Sequence, residues 1–295
     1  MLLTDRDYMQ NNIFSYHILA KYYDEFQSYS DIESMQNEIS ESIAQYQQPE
    51  IADLGCGTGI FSLALVQQGY KVTALDLSEQ MLRVLKAKKA QLPSSFQDNL
   101  RIIQADINEY VFPEKQDILL AMTDTLNHLD TEQFVNFFSV AGQNLINDGL
   151  LIFDLLKLEY LLGERANQTY FVEFDLPPSD SHYLRNNYGV VDSDELINFD
   201  DDIVSDKLFG EQNPAVSMIW ENEWLENEQI AISNLTFFER VADSKQYLRF
   251  FDQIIEYYHD LENIEQIFCN KFTLKKSIDF PERRLFILQK ISDCQ

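Results

Sequence analysis

The stretch Asp53-Leu54-Gly55-Cys56-Gly57-Thr58-Gly59 sets three of the chain's nine glycines at alternate positions directly after an acid. Glycine brings no Cβ and takes left-handed backbone freely, so a loop of this make lets a ligand press against main chain. The acid narrows the choice of ligand. Asp53 would repel a pyrophosphate and attract a cation, such as an amino group reached directly or through water. The GxGxG spacing also departs from the GxGxxG of dinucleotide sites. Further acids follow apolar runs: Asp76 after residues 71–75, Asp106 after 101–105 and Asp154 after 150–153. Asp76 lies where a carboxylate can accept from two ribose hydroxyls. Asp106 can accept from an exocyclic amine while a backbone N–H contacts the purine ring. Together these residues describe a nucleoside site.

Such a site needs a scaffold that brings strand ends together. From about residue 50 to 155, short β-branched runs alternate with amphipathic stretches, which predicts a parallel sheet with crossover helices. Strands are expected over 51–54, 71–75, 101–105, 117–121 and 150–153, and helices over 60–68, 78–90 and 132–145. Ser78 suits an N-cap, Asp130 with Gln133 resembles a capping box, and Gly69 and the turn Asn147-Asp148-Gly149 should close helices. Ligands bind such sheets beyond the carboxyl ends of the strands, where strand order reverses.

Past residue 155 the pattern changes. Residues 175–206 carry Pro177-Pro178 and acidic clusters around Asp192 and Asp200, and read as an inserted, partly mobile segment. Residues 215–223, 229–240 and 247–257 alternate β-branched and aromatic positions and predict a small antiparallel sheet with turns at 226–228 and 243–244. A helix is expected over 260–270, then two strands, 272–277 and 284–290, that complete the main sheet. The expected fold is α/β: a Rossmann-like, mostly parallel seven-stranded sheet with helices on both faces, plus a small antiparallel β insertion. Residues 1–165 and 258–295 form the expected core with an amino-terminal helical lid, and 166–257 the inserted region.

With these elements in place the chain resembles the class I S-adenosylmethionine-dependent methyltransferases. Asp53-Leu-Gly-Cys-Gly-Thr-Gly59 is similar to their first motif, Ala74-Leu-Asp76-Leu-Ser-Glu-Gln-Met81 to their second, and Gln104-Ala-Asp106-Ile107 to their adenine-contacting segment. Further similarity to a bacterial small-molecule methyltransferase-like group lies in Tyr22-Tyr23-Asp24, Asp124-Thr-Leu-Asn127 and the carboxyl-terminal run Pro281 to Lys290. The resemblance implies S-adenosyl-L-methionine as donor, its methionyl part along Asp53, Gly55, Gly57 and Gly59, its ribose on Asp76 and its adenine at Asp106 and Ile107. Leu77 and Met81 would pack on the purine, although ordinary helix-to-sheet packing accounts for Met81 equally well. Thr123 or Asp124 would lie beside the sulfonium, with a turn or cap acid as the plain alternative for Asp124. Tyr22 and Tyr23 sit where a lid would cover the donor, and Trp220 lies in the inserted sheet. Cationic groups on such ring faces gain about 0.5 to 2 kcal/mol each.

Methyl transfer from a sulfonium is an in-line displacement, so alignment and exclusion of water are the protein's main tasks. A general base is needed only for an acceptor that begins protonated. His128 is the first candidate among His17, His128, His182 and His259, with Asp124 the second catalytic candidate; a partly buried structural histidine is the competing reading. The chain lacks an Asn-Pro-Pro-Tyr motif after the fourth strand, which argues against methylation of base or amide nitrogens.

Composition bounds the partners. Lys and Arg number 22 against 49 Asp and Glu, a formal charge of -27, which repels phosphate backbones and anionic lipid. No nucleic acid and no membrane partner is expected, and a small-molecule acceptor of cationic character fits the charge. The opening residues Met1 to Asp7 do not read as a secretory signal and no apolar run is long enough to span a bilayer, so the expected location is the cytoplasm. Cys56, Cys269 and Cys294 form no disulfide framework and no metal site is expected. The leading expectation is a methyltransferase whose insertion covers the catalytic face. The alternatives are a catalytically inactive S-adenosylmethionine-binding regulatory protein and, disfavoured by loop spacing and Asp53, an NAD-dependent oxidoreductase.

Overall fold

The computed structural model describes residues 16, 18–27, 31–174, 196–198, 216–240 and 246–292. His17, His182, Cys294, the acidic clusters around Asp192 and Asp200 and the turn expected at 243–244 lie outside them.

Five parallel strands carry the candidate site: β1 (Glu50–Leu54), β2 (Lys71–Asp76), β3 (Leu100–Gln104), β4 (Gln116–Ala121) and β5 (Leu145–Leu156). Two carboxyl-terminal strands, β11 (Phe272–Asp279) and β12 (Arg283–Lys290), extend the sheet antiparallel, giving the order β11-β12-β5-β4-β1-β2-β3. Order reverses between β1 and β4, so the crevice for a ligand opens past their carboxyl ends. Alternation assigns the faces. Ile118 and Leu120 of β4 pack with α1 (Ile32–Ile43), α2 (Ile60–Gln67) and α3 (Glu79–Gln91), whereas Leu119 and Ala121 face Phe134, Phe137 and Phe138 of α4 (Thr131–Asn144). Strands buried on both sides need apolar residues at nearly every position, as 118–121 and 150–153 have.

The caps follow the sequence. Ser78 Oγ accepts from Met81 N, and Asp130 with Gln133 closes a complete capping box on α4. Two expectations are corrected. The turn at Asn147-Asp148-Gly149 does not separate α4 from a short strand: β5 begins at Leu145, and the ladder jumps from Gln116↔Leu145 to Ile118↔Leu150, so these residues bulge inside it. Gly149 is required there, because a Cβ would sit 2.9 Å from the Asp117 carbonyl oxygen. The helix expected over 260–270 shrinks to the single turn Glu265–Phe268. The Asp260 carboxylate accepts from Glu262 N and from Asn263 Nδ2, a local turn that competes with helix.

The second sheet is antiparallel and five-stranded. It contains β6 (Thr169–Phe174), β7 (Leu196–Asn198), β8 (Val216–Leu225), β9 (Ile230–Arg240) and β10 (Gln246–Tyr257), ordered β6-β8-β9-β10-β7. One face presents Val216, Met218, Leu235, Phe237 and Ile254 to Leu19, Ala20, Tyr22 and Tyr23 of the amino-terminal segment and to Met81 of α3. That segment is therefore the filling between the inserted sheet and the donor side of the main sheet.

Candidate active site

The loop after β1 is built around backbone that only glycine tolerates. Gly55 and Gly59 have φ of 67° and 84°, and a Cβ on either would lie 2.4 Å from Thr125 Cγ2 or 2.2 Å from Leu85 Cδ1. These two glycines let the loop nest against protein. Gly57 differs, since a Cβ there would meet only the Tyr23 ring edge, at 3.6 Å. The loop is pinned by Cys56 N to the Leu75 carbonyl and by Gly57 N to Asp76 Oδ2, 2.8 and 2.7 Å. The other oxygen of Asp76 accepts from Ser78 N. Burial raises the Asp76 carboxyl above its usual range while these N–H donors pull it back.

Asp53 is buried at the end of β1 and accepts from Ser62 Oγ at 2.6 Å. Burial pushes its carboxyl up to about 7, against the Ser62 hydrogen bonds, with Asp76 adding to the rise. Burial likewise raises the Cys56 thiol well above its usual value, which suits a small packed side chain and not a nucleophile. On the open side of β2, Leu77 is 54% exposed whereas Met81 is buried in the cluster under the amino-terminal segment. Asp106, past β3, accepts from Asn108 N at 2.8 Å, and Ile107 packs against the main core.

Thr123 and Asp124 follow β4, both with left-handed backbone at φ of 52° and 66°. Asp154, fully buried in β5, holds them by accepting from Thr123 N at 2.6 Å and Asp124 N at 3.4 Å. Arg283 of β12 reaches across and donates from Nη1 to Asp124 Oδ1 and Asp154 Oδ2, both 2.8 Å. Its guanidinium is raised by the two carboxylates against the opposing effect of burial. Asp154 is pushed up by burial, with Arg283 the main restraint. The carboxylate of Asp124 is thus committed to a buried ion pair. The same turn supplies Asn127, fully buried, which donates to the Tyr257 carbonyl and accepts from Leu156 N, tying the end of β10 to the end of β5.

The amino-terminal segment closes over this floor. Asp252 of β10 accepts from Ile18 N and Leu19 N, each 2.7 Å, Lys21 pairs with Glu239, and Asp24 binds both Thr58 Oγ1 and Lys88. Tyr22 stacks on Phe237 with ring centroids 5.6 Å apart. Burial raises the Tyr23 phenol above its usual value. His128 Nε2 lies 2.7 Å from Tyr16 Oη, and Nδ1 lies 3.0 Å from the Ile255 carbonyl oxygen. His259 meets the same turn from the main core: it stacks on Phe134 at 3.7 Å and contacts the Leu126 carbonyl through Nε2. Trp220 packs between Phe26 and Tyr170.

Residues 51–149 match the model of a family described as a methyltransferase domain. The chain is 30% identical over 183 residues to YqeM of Bacillus subtilis (strain 168), which bears a methyltransferase name, covering 61% of this chain and 69% of that protein. It belongs to the class I S-adenosylmethionine-dependent methyltransferases. A relative from Geobacillus sp. (strain WCH70), also named as a methyltransferase, is 27% identical over 78% of both chains. A solved S-adenosylmethionine-dependent methyltransferase from Clostridium acetobutylicum shares the fold with a TM-score of 0.68, 21% identity and coverage of 94% of this chain and 99% of that one.

The methyltransferase donor, S-adenosylmethionine, fits the residues present. The loop offers side-chain-free backbone at Gly57, the Asp76 carboxylate stands at the β2 end, and the exposed Leu77 gives an apolar surface beside it. Of the residues singled out by sequence reasoning, the structure sets Asp53, Gly55, Gly57, Gly59, Asp76, Leu77, Asp106, Ile107, Thr123, Asp124 and His128 along the carboxyl ends of β1 to β4, whereas Met81, Tyr22 and Tyr23 lie in the cluster packed against the inserted sheet. It missed the part of Tyr16, Asn127, Asp252 and Arg283. Arg283 lies in the carboxyl-terminal motif, where the pair Arg283-Arg284 opening an apolar strand was the available signal. Among the described residues no helix is long and apolar enough to cross a membrane, and no cluster of His, Cys, Asp and Glu could hold a metal ion.

Proposed function

We propose that this methyltransferase acts on a small acceptor of cationic character, admitted between the main sheet and the inserted sheet. The observation that carries the reading is the closure of the β4 and β1 ends by residues 16 and 18–26 and by β8 to β10, with Tyr22 and Tyr23 both buried there. A cover of this kind excludes water and suits an acceptor that can be enclosed. Core residues 1–165 and 258–295 bind the donor in this reading, and 166–257 select the acceptor. Nucleic acid and membrane surfaces are poor partners for a chain of charge -27.

S-adenosylmethionine supplies an activated methyl group. The loop of Gly55, Gly57 and Gly59 and the carboxylate of Asp53 hold the aminocarboxyl end, Asp76 the ribose, and Asp106 and Ile107 the adenine. Leu77 borders the ring face. Met81, Tyr22 and Tyr23 keep the cover packed, and Thr123 shapes the floor. Asp124 acts through Arg283 and Asp154 as a positioning residue, leaving His128 as the group that handles a proton. Calorimetry with S-adenosylhomocysteine tests the donor half: micromolar binding by the wild type and a loss of at least tenfold in Asp76→Ala are expected. Absence of binding, or undiminished binding by the variant, refutes it.

A further inference from the structure

We propose that Asp24 is a positioning residue for the donor site: it clamps the amino-terminal segment onto the glycine loop, so that S-adenosylmethionine and its product exchange only when Asp24, Thr58 and Lys88 part. The proposal rests on the methyltransferase reading and adds to it a residue that governs how long the donor stays.

A loop with glycine at every second position has little side chain of its own to fix it, so it must be held from outside. Cys56 N and Gly57 N tie it to β2, on Leu75 and Asp76. Thr58, fully buried between Gly57 and Gly59, ties its other side. The Thr58 hydroxyl donates to Asp24 Oδ1, and its carbonyl oxygen accepts from Lys88 Nζ of α3 at 3.1 Å. Lys88 also pairs with Asp24 Oδ2, which closes a ring of three residues from three parts of the chain.

The clamp and the cover are neighbours in sequence. Tyr23 precedes Asp24 in the single helical turn Tyr23–Phe26, and its ring edge lies 3.6 Å from where a Gly57 Cβ would stand. A donor laid along Gly57 toward Asp76 passes beneath that ring, and Asp24 cannot leave Thr58 without lifting it.

The segment's attachments differ in kind, which decides where it opens. Residues 18–22 are held to the inserted sheet by the buried Asp252 on Ile18 N and Leu19 N and by Tyr22 stacked on Phe237. The tie to the donor loop is charged and reaches solvent, with the Asp24 side chain 47% exposed and that of Lys88 25%. Salt screens charges that face solvent far more than buried ones. The helical turn therefore parts from the donor loop at Asp24, while residues 18–22 stay on the inserted sheet.

The test is the kinetics of S-adenosylhomocysteine binding to the full chain, followed by stopped-flow tryptophan fluorescence. Trp220 packs on Phe26 with ring centroids 5.0 Å apart, so it reports on the helical turn. Asp24→Ala should raise the dissociation rate about tenfold, the effect of losing hydrogen bonds to a charged group, without slowing association. Wild-type dissociation should quicken about threefold between about 0.05 and 0.5 M NaCl, and Asp24→Ala should lose that dependence. Thr58→Val should dissociate faster than the wild type, whereas Thr58→Ser, which keeps the hydroxyl, should stay within about twofold of it. Lys88→Met loosens the clamp from α3 and should also speed dissociation, and combined with Asp24→Ala it should be no faster than Asp24→Ala alone. Dissociation from Asp24→Ala within about twofold of the wild type, weaker binding that comes from slower association, salt dependence that survives in the variant, no rescue by Thr58→Ser, or additive effects in the double variant overturns the proposal. Failure of the underlying reading looks different, since wild-type protein would then not bind S-adenosylhomocysteine at all.

Discussion

Replacing Arg283 by methionine tests how the floor of the site is held. The guanidinium is 3% exposed and Asp154 0%, and a single nitrogen, Nη1, lies 2.8 Å from both Asp154 and Asp124. Methionine matches much of the volume and fits without polar demands. It leaves two carboxylates facing each other with no cation between them. Removing one partner of a buried ion pair costs about 3 to 5 kcal/mol, because the abandoned charge stays out of water. Both backbone N–H donors to Asp154 survive the substitution, which favours the middle of that range, about 4 kcal/mol at pH 7.5.

The pH dependence gives the sharper check. Asp154 is already pushed up by burial, with Arg283 its main restraint, so the variant's carboxyl rises further. A carboxyl whose folded pKa exceeds the unfolded value binds more protons in the native state. Stability therefore falls as pH climbs from the unfolded carboxylate range toward the folded value, by up to about 1.4 kcal/mol per unit and per group. The loss in Arg283→Met should thus shrink by at least 1 kcal/mol between pH 7.5 and 5.5. Urea unfolding followed by circular dichroism at the two pH values measures it. A loss under 1 kcal/mol at pH 7.5, or one equal at both, refutes the argument that the pair is a buried, charge-balanced tie.

Two further titrations follow. Asp53, pushed up to about 7 by burial, must ionise to attract the donor's amino group, so wild-type affinity for S-adenosylhomocysteine should strengthen roughly tenfold from pH 6 to 8. Calorimetry of Asp53→Asn should show a flat profile over that range. His259 is held neutral, its pKa lowered to about 4 by burial against the Leu126 and Leu129 backbone contacts. Its folded value lies below the unfolded 6.5, so stability present above pH 6.5 is lost as pH falls toward 4, by about 3 kcal/mol. His259→Gln should flatten that acid limb in urea midpoints measured every half unit, and an unchanged slope would assign it to other groups.

The main sheet was legible because its information is local. Residues 50–54 or 118–121 announce buried strands by their own apolar runs, and Ser78 and Asp130 cap helices within three residues of themselves. The glycine loop was equally plain, yet its sequence could not say which glycine serves which purpose. Gly55 is dictated by Thr125 and Gly59 by Leu85, positions far along the chain, and only at Gly57 would a Cβ find ordinary contact, with the Tyr23 ring at 3.6 Å. The bulge in β5 escaped prediction for the same reason: Asn147-Asp148-Gly149 has turn chemistry, and pairing with β4 on both sides of it, at Leu145 and again from Leu150, keeps it inside one strand. Asp124 shows the limit most clearly. A strand-end acid beside a sulfonium site reads as chemistry, and the residue that changes its meaning, Arg283, arrives from the last strand of the sheet. Tyr16 reaches His128 across 112 positions, and Asp252 reaches Ile18 across 234. Contacts of that span leave no periodicity to detect. In the proposed function the donor half of the site comes from residues adjacent to their own strands, and the acceptor half from segments at the amino terminus, in the insertion and in β12, which meet only once both sheets have formed.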